Sequence, residues 1–600
     1  MFNIRQKKAI LDLFKMAVAE ENITNSDKDI KELLKFGYVC DKNIDVKCVL
    51  EWAEENHFNP NLTFYKTFEE VVLRTRFELF LDQIIHYFTS YTLDMDKPFV
   101  VNDTPIDLKK MEVKFIKAIS SEEVIERCQN MLYSGVALKQ DTIQKILDII
   151  QNNIDIDKIK NREAQAIISV NQGIYPKDAE SALRCLIYQA TGKTLLIKDK
   201  KTIESLKNSN IIIPDILLER FSSIFFRFKP LFLALKKQNQ YKINRLRRMA
   251  NKNHKPFKAP FWTKVIDELN KATDNEMRLL YENIIERIDE LTTYKKIALY
   301  NLIHTKLKSL MMISTEIING NDDAKKYNMY VIRNGKIFIK EDDIKSFSIL
   351  RPETVGRFIS LRNLLLDCIV KRVKENVGTD IVELPLNINL VCPTSEKSFM
   401  GEIPLYSWVD MDFEDAIIGI YWHEKDGARD LDLSYIDKSG MKIGWDDDFY
   451  NEERTFIYSG DMTAAPNGAT ELIYKKYNNN KEIGSVRVNP YSFVGEYGLR
   501  GNLKDSAKYK VFFAKEKIDM EKGFENYMVN PDNIIYQYDD IIEGEKTIGT
   551  FIENKFIFAN MQTSTGRRVS KMDDINNAIL DVFIEYNKYC LTIDDVLKKA

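Results

Sequence analysis

Apolar residues recur every three to four positions through the first 315 residues and every second position through much of 400–560, so periodicity divides the chain before any motif is considered. Residues 67–91 and 276–313 carry long apolar stripes at helical spacing with charged opposite faces, and glycine is sparse around them. At the N-terminus, Ile10, Leu13, Phe14, Ala17 and Val18 form a similar stripe. A helix start falls at Asn25, Ser26 or Asp27, with Gly37 as its stop. Small and charged residues near 318–328 then interrupt the helical pattern. A hairpin follows over 329–340, turning at Asn334-Gly335. Next come a helix over 351–378 and strands over 381–391 and 416–423. Gly-punctuated alternation continues to about 560, and a last helix from about Met572 has the stripe Ile575, Ile579, Val582, Phe583, Tyr586 and Cys590. The expected fold is α+β and multidomain: a helical N-terminal half over 1–315 (one domain or two subdomains), a small mixed α/β domain over 325–400, a β-sandwich over 400–570 and a C-terminal helix over 571–600. No repeat of 30–47 residues supports a solenoid.

Within the strand-rich half, acidic residues gather in four short blocks between 426 and 471. In the first, polar Asp430, Asp432 and Ser434 alternate with Leu431 and Leu433, so the two aspartates share one strand face. Two carboxylates ~7 Å apart repel by roughly 2 kcal/mol at an effective dielectric near 20. Bringing in Asp446, Asp447 and Asp448 from the next turn, then Asp461 from Ser459-Gly460-Asp461 and Glu471 from the fourth block, raises that cost unless a cation offsets it. Calcium takes six to eight oxygen ligands in flexible geometry and suits loops of Asp, Asn, Gly and Ser. Zinc is disfavoured because His and Cys are nearly absent from these blocks. An EF-hand is excluded because Leu431, Leu433 and Ile436 stand between the polar positions.

The order of these blocks resembles the tellurium-resistance TerD family of bacterial stress proteins. The resemblance rests on an Asp-x-Asp strand followed by a small residue (Asp430, Asp432, Ser434), the acidic-aromatic turn from Asp446 to Asn451, the Gly460-Asp461 turn and the strand over 485–492. It covers roughly residues 400–560 and is closer to a long multidomain branch than to the short stand-alone proteins. It implies a calcium-binding β-sandwich in a stress-response protein, with protein partners of a stress complex. The short form's acidic Gly-Asp-Asp-Glu run is replaced here by 460–471, leaving Glu471 as the lone acid of the last block, so one calcium ion is expected rather than two.

Composition adds a second polarised feature. The 600 residues hold 90 acids and a net charge of −3, yet the 47 residues from Arg220 to Ile266 hold no acid, where about seven would fall by chance, and thirteen Lys or Arg. Lys242, Arg245, Arg247, Arg248, Lys252 and Lys255 are interleaved with Phe225, Phe226, Phe228, Tyr241, Phe257, Phe261 and Trp262. Such a stretch reads as a surface for nucleic acid or another polyanion. A second reading is a solvated helix with a buried aromatic stripe. A third reading is docking on residues 410–448, which hold twelve acids against four basic residues.

Other signals narrow the function classes. The cysteines at 40, 48, 128, 185, 368, 392 and 590 have no spacing of a disulfide framework or metal knuckle. The first 21 residues mix charges through the apolar stripe and lack a signal peptide's apolar run, and no segment reaches membrane-spanning length, so the expected address is the cytoplasm. Gly192-Lys193-Thr194 matches the end of a phosphate loop, but Ile187 stands where an earlier glycine is required. The five histidines sit singly, and no nucleophile elbow appears. The expectation is therefore a non-enzymatic binding or scaffold protein with a calcium site, and the alternative is a nucleic-acid-binding protein working through 220–266.

Overall fold

The computed structural model describes residues 2–92, 113–135, 138–150, 154–194, 200–252, 274–318, 326–333, 336–343, 352–378, 387–394, 399–400, 403–411, 415–477, 483–493, 506–518, 527–552, 554–562 and 590–600, with single positions at 261, 265, 382, 384 and 580. The chain forms two compact units. One comprises Met1–His57 with Ile106–Ala259, and the other comprises Phe58–Pro105 with Pro260–Ala600.

The first unit is mainly helical. Its opening helix, Ile4–Phe14, starts with an Asn3/Gln6 capping box and stops at Lys15 in the left-handed region, short of the expected Val18. Ala17 and Val18 instead lie in the strand Met16–Val18, which pairs in parallel with Lys114–Ile119, itself parallel to Tyr38–Cys40. Strands of three and six residues joined by long excursions leave no alternation to detect, so this small sheet was not expected. The helix Asp27–Lys35 is capped by Ser26, and Gly37 follows it with positive φ. Further on, Leu183, Phe221, Phe225, Phe228, Phe232 and Leu246 form one core. Gly192 ends the helix Ala179–Thr191 as a left-handed cap donating to the Tyr188 carbonyl, which accounts for the apparent phosphate motif.

In the second unit, two antiparallel sheets carry the C-terminal region. Six strands run in the spatial order Lys442–Ile443, Ala428–Asp437, Ile483–Phe493, Lys546–Ile552, Lys555–Gln562, Trp408–Asp410. The other five run Phe456–Tyr458, Ala469–Lys475, Ala416–Trp422, Ala507–Lys515, Ile534–Ile542. Leu431, Leu433, Val486, Ile418, Ile420 and Ile473 join one continuous core, and Tyr435 from one sheet stacks on Phe456 from the other at 3.9 Å. The helices Asp274–Glu286, Thr293–Ile318 and Pro352–Val377 share a separate core through Ile284, Leu299, Ile303, Leu361 and Leu365. The strands Lys326–Arg333 and Lys336–Asp343 pair with Arg333 opposite Lys336, as a two-residue turn requires, while Asn334 and Gly335 lie outside the described residues. Where a strand was expected over 381–391, the described residues carry isolated bridges at Asn389 and Val391. The final helix is Ile593–Leu597, capped by Thr592. Apart from position 580, the stripe expected over 571–589 lies outside the described residues.

Residues 58–86, expected within an N-terminal helical domain, belong to the sandwich unit. The helical stretch breaks at extended Arg74 into Phe68–Leu73 and Arg76–Thr92. Phe58, Tyr65, Phe68, Val71, Val72 and Leu79 enter the sandwich core. Asn61 fixes the entry: its Oδ1 accepts from the Met528 and Val529 backbone at 2.8 and 2.9 Å, and its Nδ2 donates to the Val529 carbonyl at 2.8 Å. Replacing Asn61 by Ala orphans these buried groups. It should destabilise the sandwich by about 2–4 kcal/mol in denaturant unfolding followed by a probe within 416–562.

Candidate metal centre

The strand Ala428–Asp437 is paired along its full length on one edge with Ile483–Phe493. On its other edge Lys442–Ile443 covers only Tyr435 and Ile436. The backbone before Tyr435 therefore needs other partners, and Glu471 from the second sheet supplies one: its Oε2 accepts from Leu433 N at 2.6 Å and its Oε1 from Met462 N at 3.0 Å. One buried carboxylate thus joins the open edge of a strand to the loop leaving Phe456–Tyr458.

That loop carries Asp461. Gly460 before it has φ +93°, and a Cβ there would stand 2.8 Å from Phe64 Cβ, so both backbone angle and close approach require glycine. Asp430 and Asp432 reach the same place from the strand, alternating with Leu431 and Leu433, and register shifts flank Asp430. Ligand oxygens of Asp430, Asp432 and Asp461 all lie within 4.8 Å of one another, and the three residues are at most 3% exposed. At that separation each charged pair repels by about 3 kcal/mol at an effective dielectric near 20.

Burial, then the neighbouring aspartates 432 and 461, pushes the Asp430 carboxyl well above the usual carboxylate range, with Arg429 opposing. Burial followed by Asp461 does the same to Asp432, against an Asn489 hydrogen bond and the charge of Lys442. Glu471 is raised by burial and by Asp461 and Asp432, despite its two backbone donors. Such a cluster holds either protons or a cation. Three carboxylates offering oxygen atoms in one buried place could hold a metal ion.

The remaining sequence candidates are placed differently. Asp446 is ion-paired with the buried Lys442, Asp448 with Arg76 at 3.2 Å, and Asp447 is exposed; none of the three belongs to the triad. Glu471 stands behind the triad with both oxygens engaged by backbone. Two amides escaped sequence reasoning. Asn489, directly opposite Asp432 in the neighbouring strand, donates from Nδ2 to Asp432 Oδ2 at 3.1 Å, and its buried Oδ1 has no hydrogen-bond partner. Gln83, from Arg76–Thr92, donates to Asp461 Oδ2 at 3.1 Å. Neither carries a sequence signal: Asn489 shares its strand face with Ser485 and Arg487, and Gln83 follows Leu79 and precedes His86 on its helix stripe.

The basic candidates occupy the helix Lys236–Lys252 in the first unit. Phe225, Phe228 and Phe232 are core, as the solvated-helix reading has it. Arg245, Arg247, Arg248 and Lys252 are exposed, Lys242 pairs with Asp215 at 3.3 Å, and Lys255 lies outside the described residues. Among the cysteines, burial pushes the thiols of Cys128, Cys185 and Cys392 up to about 12, which makes them unreactive. No family model, curated protein or solved structure matches the chain.

The carboxyl shifts fix a pH signature. Asp430, Asp432 and Glu471 bind protons more tightly folded than unfolded, so their contribution to stability is complete below about pH 4 and is lost as pH rises through the raised values. In excess chelator the melting temperature of the sandwich should therefore fall as pH rises above the ordinary carboxylate range. A melting temperature that climbs as pH rises would show the carboxylates ionised and matched by other groups.

Proposed function

We propose that the C-terminal sandwich is a calcium-binding module and that the chain is a non-enzymatic, TerD-like stress-response protein working in the cytoplasm as a binding or scaffold component. The observation that carries the reading is the convergence of Asp430, Asp432 and Asp461 from a strand and a loop thirty residues apart. Every donor at hand is an oxygen, which favours a hard cation, and the mixture of carboxylates with the Asn489 amide suits calcium's irregular shell better than magnesium's octahedron. The TerD-like assignment is supported by the order of the acidic blocks. Among the described residues no helix is long and apolar enough to cross a membrane.

Calorimetric titration of the full chain with calcium should give one site. Calcium at a hundred times Kd should stabilise the sandwich by about 2.7 kcal/mol, read as a rise in melting temperature that chelator reverses. Asp432→Asn should abolish both heat and shift. Wild-type protein that gives neither would sink the reading.

A second reading rests on the helix Lys236–Lys252. Beyond a kink at Asn239, Tyr241, Arg245, Arg248 and Lys252 fall on one helical face, and Tyr241 is 77% exposed, an unusual place for an aromatic unless something stacks on it. Under this reading the chain binds single-stranded RNA or DNA with steep salt dependence. Filter binding should then weaken at least tenfold when Arg245, Arg247 and Arg248 become alanine, and unchanged binding would remove it.

A further inference from the structure

The helix Arg76–Thr92 presents a stripe to the metal centre. Leu79 enters the sandwich core, Gln83 one turn on meets Asp461, and His86 accepts from Thr463 N at 3.3 Å. The preceding segment is tied to the same loop and its strand, with Tyr65 N donating to the Ser459 carbonyl at 3.3 Å and Thr470 N to the Leu62 carbonyl at 2.8 Å. Gln83 is 6% exposed. Its Nε2 donates to Asp461 Oδ2 at 3.1 Å and lies 3.4 Å from the Asp461 carbonyl oxygen, while its Oε1 is buried without a hydrogen-bond partner. A buried amide oxygen with nothing to accept from is costly, and a half-turn about the last side-chain bond brings it to Asp461, where only a cation between the two oxygens makes the exchange favourable.

We propose that Gln83 is a further ligand of the cation, its side-chain carbonyl adding to the oxygens of Asp430, Asp432 and Asp461, so that ion binding clasps the helix Arg76–Thr92 to the sandwich. The inference rests on the cation-binding reading of the triad and adds a regulated element to it. The half-turn directs Oε1 to the side where Asp461 offers its own oxygen. Asn489 stands in the same relation to Asp432, so two of the three carboxylates each have a buried amide beside them, and the five side chains together approach the six to eight oxygens calcium takes once water or backbone is added. Binding then draws together a strand, a loop and a helix more than 370 residues away in sequence.

The test uses the full chain, with calcium chloride as the probe and two variants. Gln83→Leu removes the oxygen at similar size and should weaken calcium binding by about tenfold to a hundredfold in calorimetry. Hydrogen exchange should show calcium protecting amides of residues 76–86 in wild type and failing to do so in Gln83→Leu, while residues 430–434 remain protected once calcium saturates. Gln83→Glu keeps an oxygen ligand and loses the amide donor, so it should bind calcium at least as tightly as wild type. Weaker binding by a folded Gln83→Glu, or wild-type affinity and helix protection in Gln83→Leu, overturns the clasp and leaves the triad standing. Wild-type protein that binds no calcium overturns both.

Discussion

Like charges held close together in a dry place are the constraint on which the architecture around the metal centre turns. Asp430, Asp432 and Asp461 are brought within 4.8 Å by elements that have no local reason to meet. Leu431 and Leu433 commit the strand to the core, and this fixes Asp432 between them on the opposite face, with Asp430 at the register shift just before. Glu471 then fixes the loop by bonding Leu433 and Met462 at once. The backbone bonds that place Asp461 are therefore made by another acid, which adds to the repulsion it helps to create. Nearby positive charge is partly committed elsewhere, since Lys442 pairs with Asp446. A fold that spends two backbone donors and a positive-φ glycine on sustaining this arrangement gains little from it unless protons or a cation enter.

The segment from Phe58 to His86 enlarges that argument. It is bound to the sandwich by aromatic burial, by the three hydrogen bonds of Asn61, and by Gln83 and His86 against the loop of Asp461. Such a segment is part of the sandwich's core rather than an ornament upon it. Phe58 packs on Tyr421 and Phe512, and Phe68 on Tyr474, so the five-stranded sheet has one face toward the other sheet and the other toward this segment. That explains why Thr470, Leu472 and Tyr474, which alternate with the inward-facing Glu471 and Ile473, are as buried as their neighbours.

Sequence pattern made the strands and the aspartates legible for the same reason. Alternation around Asp430 and Asp432 marks both a strand and a shared face, and the Ser-Gly-Asp turn marks Asp461. The run at 446–448 carried the same acidic signal without the same placement, because Lys442 and Arg76 lie where composition cannot show them, one four residues away and the other 372. Asn489 was hidden because its role depends on register across two strands, and Gln83 because it depends on which element a distant helix packs against. The broad α+β layout could be read from periodicity, whereas the partition of residues 58–105 into the sandwich unit could not, since a helix has the same apolar stripe whatever it covers.

The basic helix shows the limit of charge statistics from the other direction. Its lack of acids is real, yet the phenylalanines between its cations are spent on a core in which Phe225 stacks on Phe232. Among the described residues, what remains outside is a face of arginines and lysines with Tyr241 among them and the exposed apolar side chains of Phe226 and Leu233 in the preceding segment. A solvated face needs only the cations. The tyrosine stands among the cations themselves, where neither solvation nor the core explains its exposure, and the case for a polyanion there is as strong as that side chain.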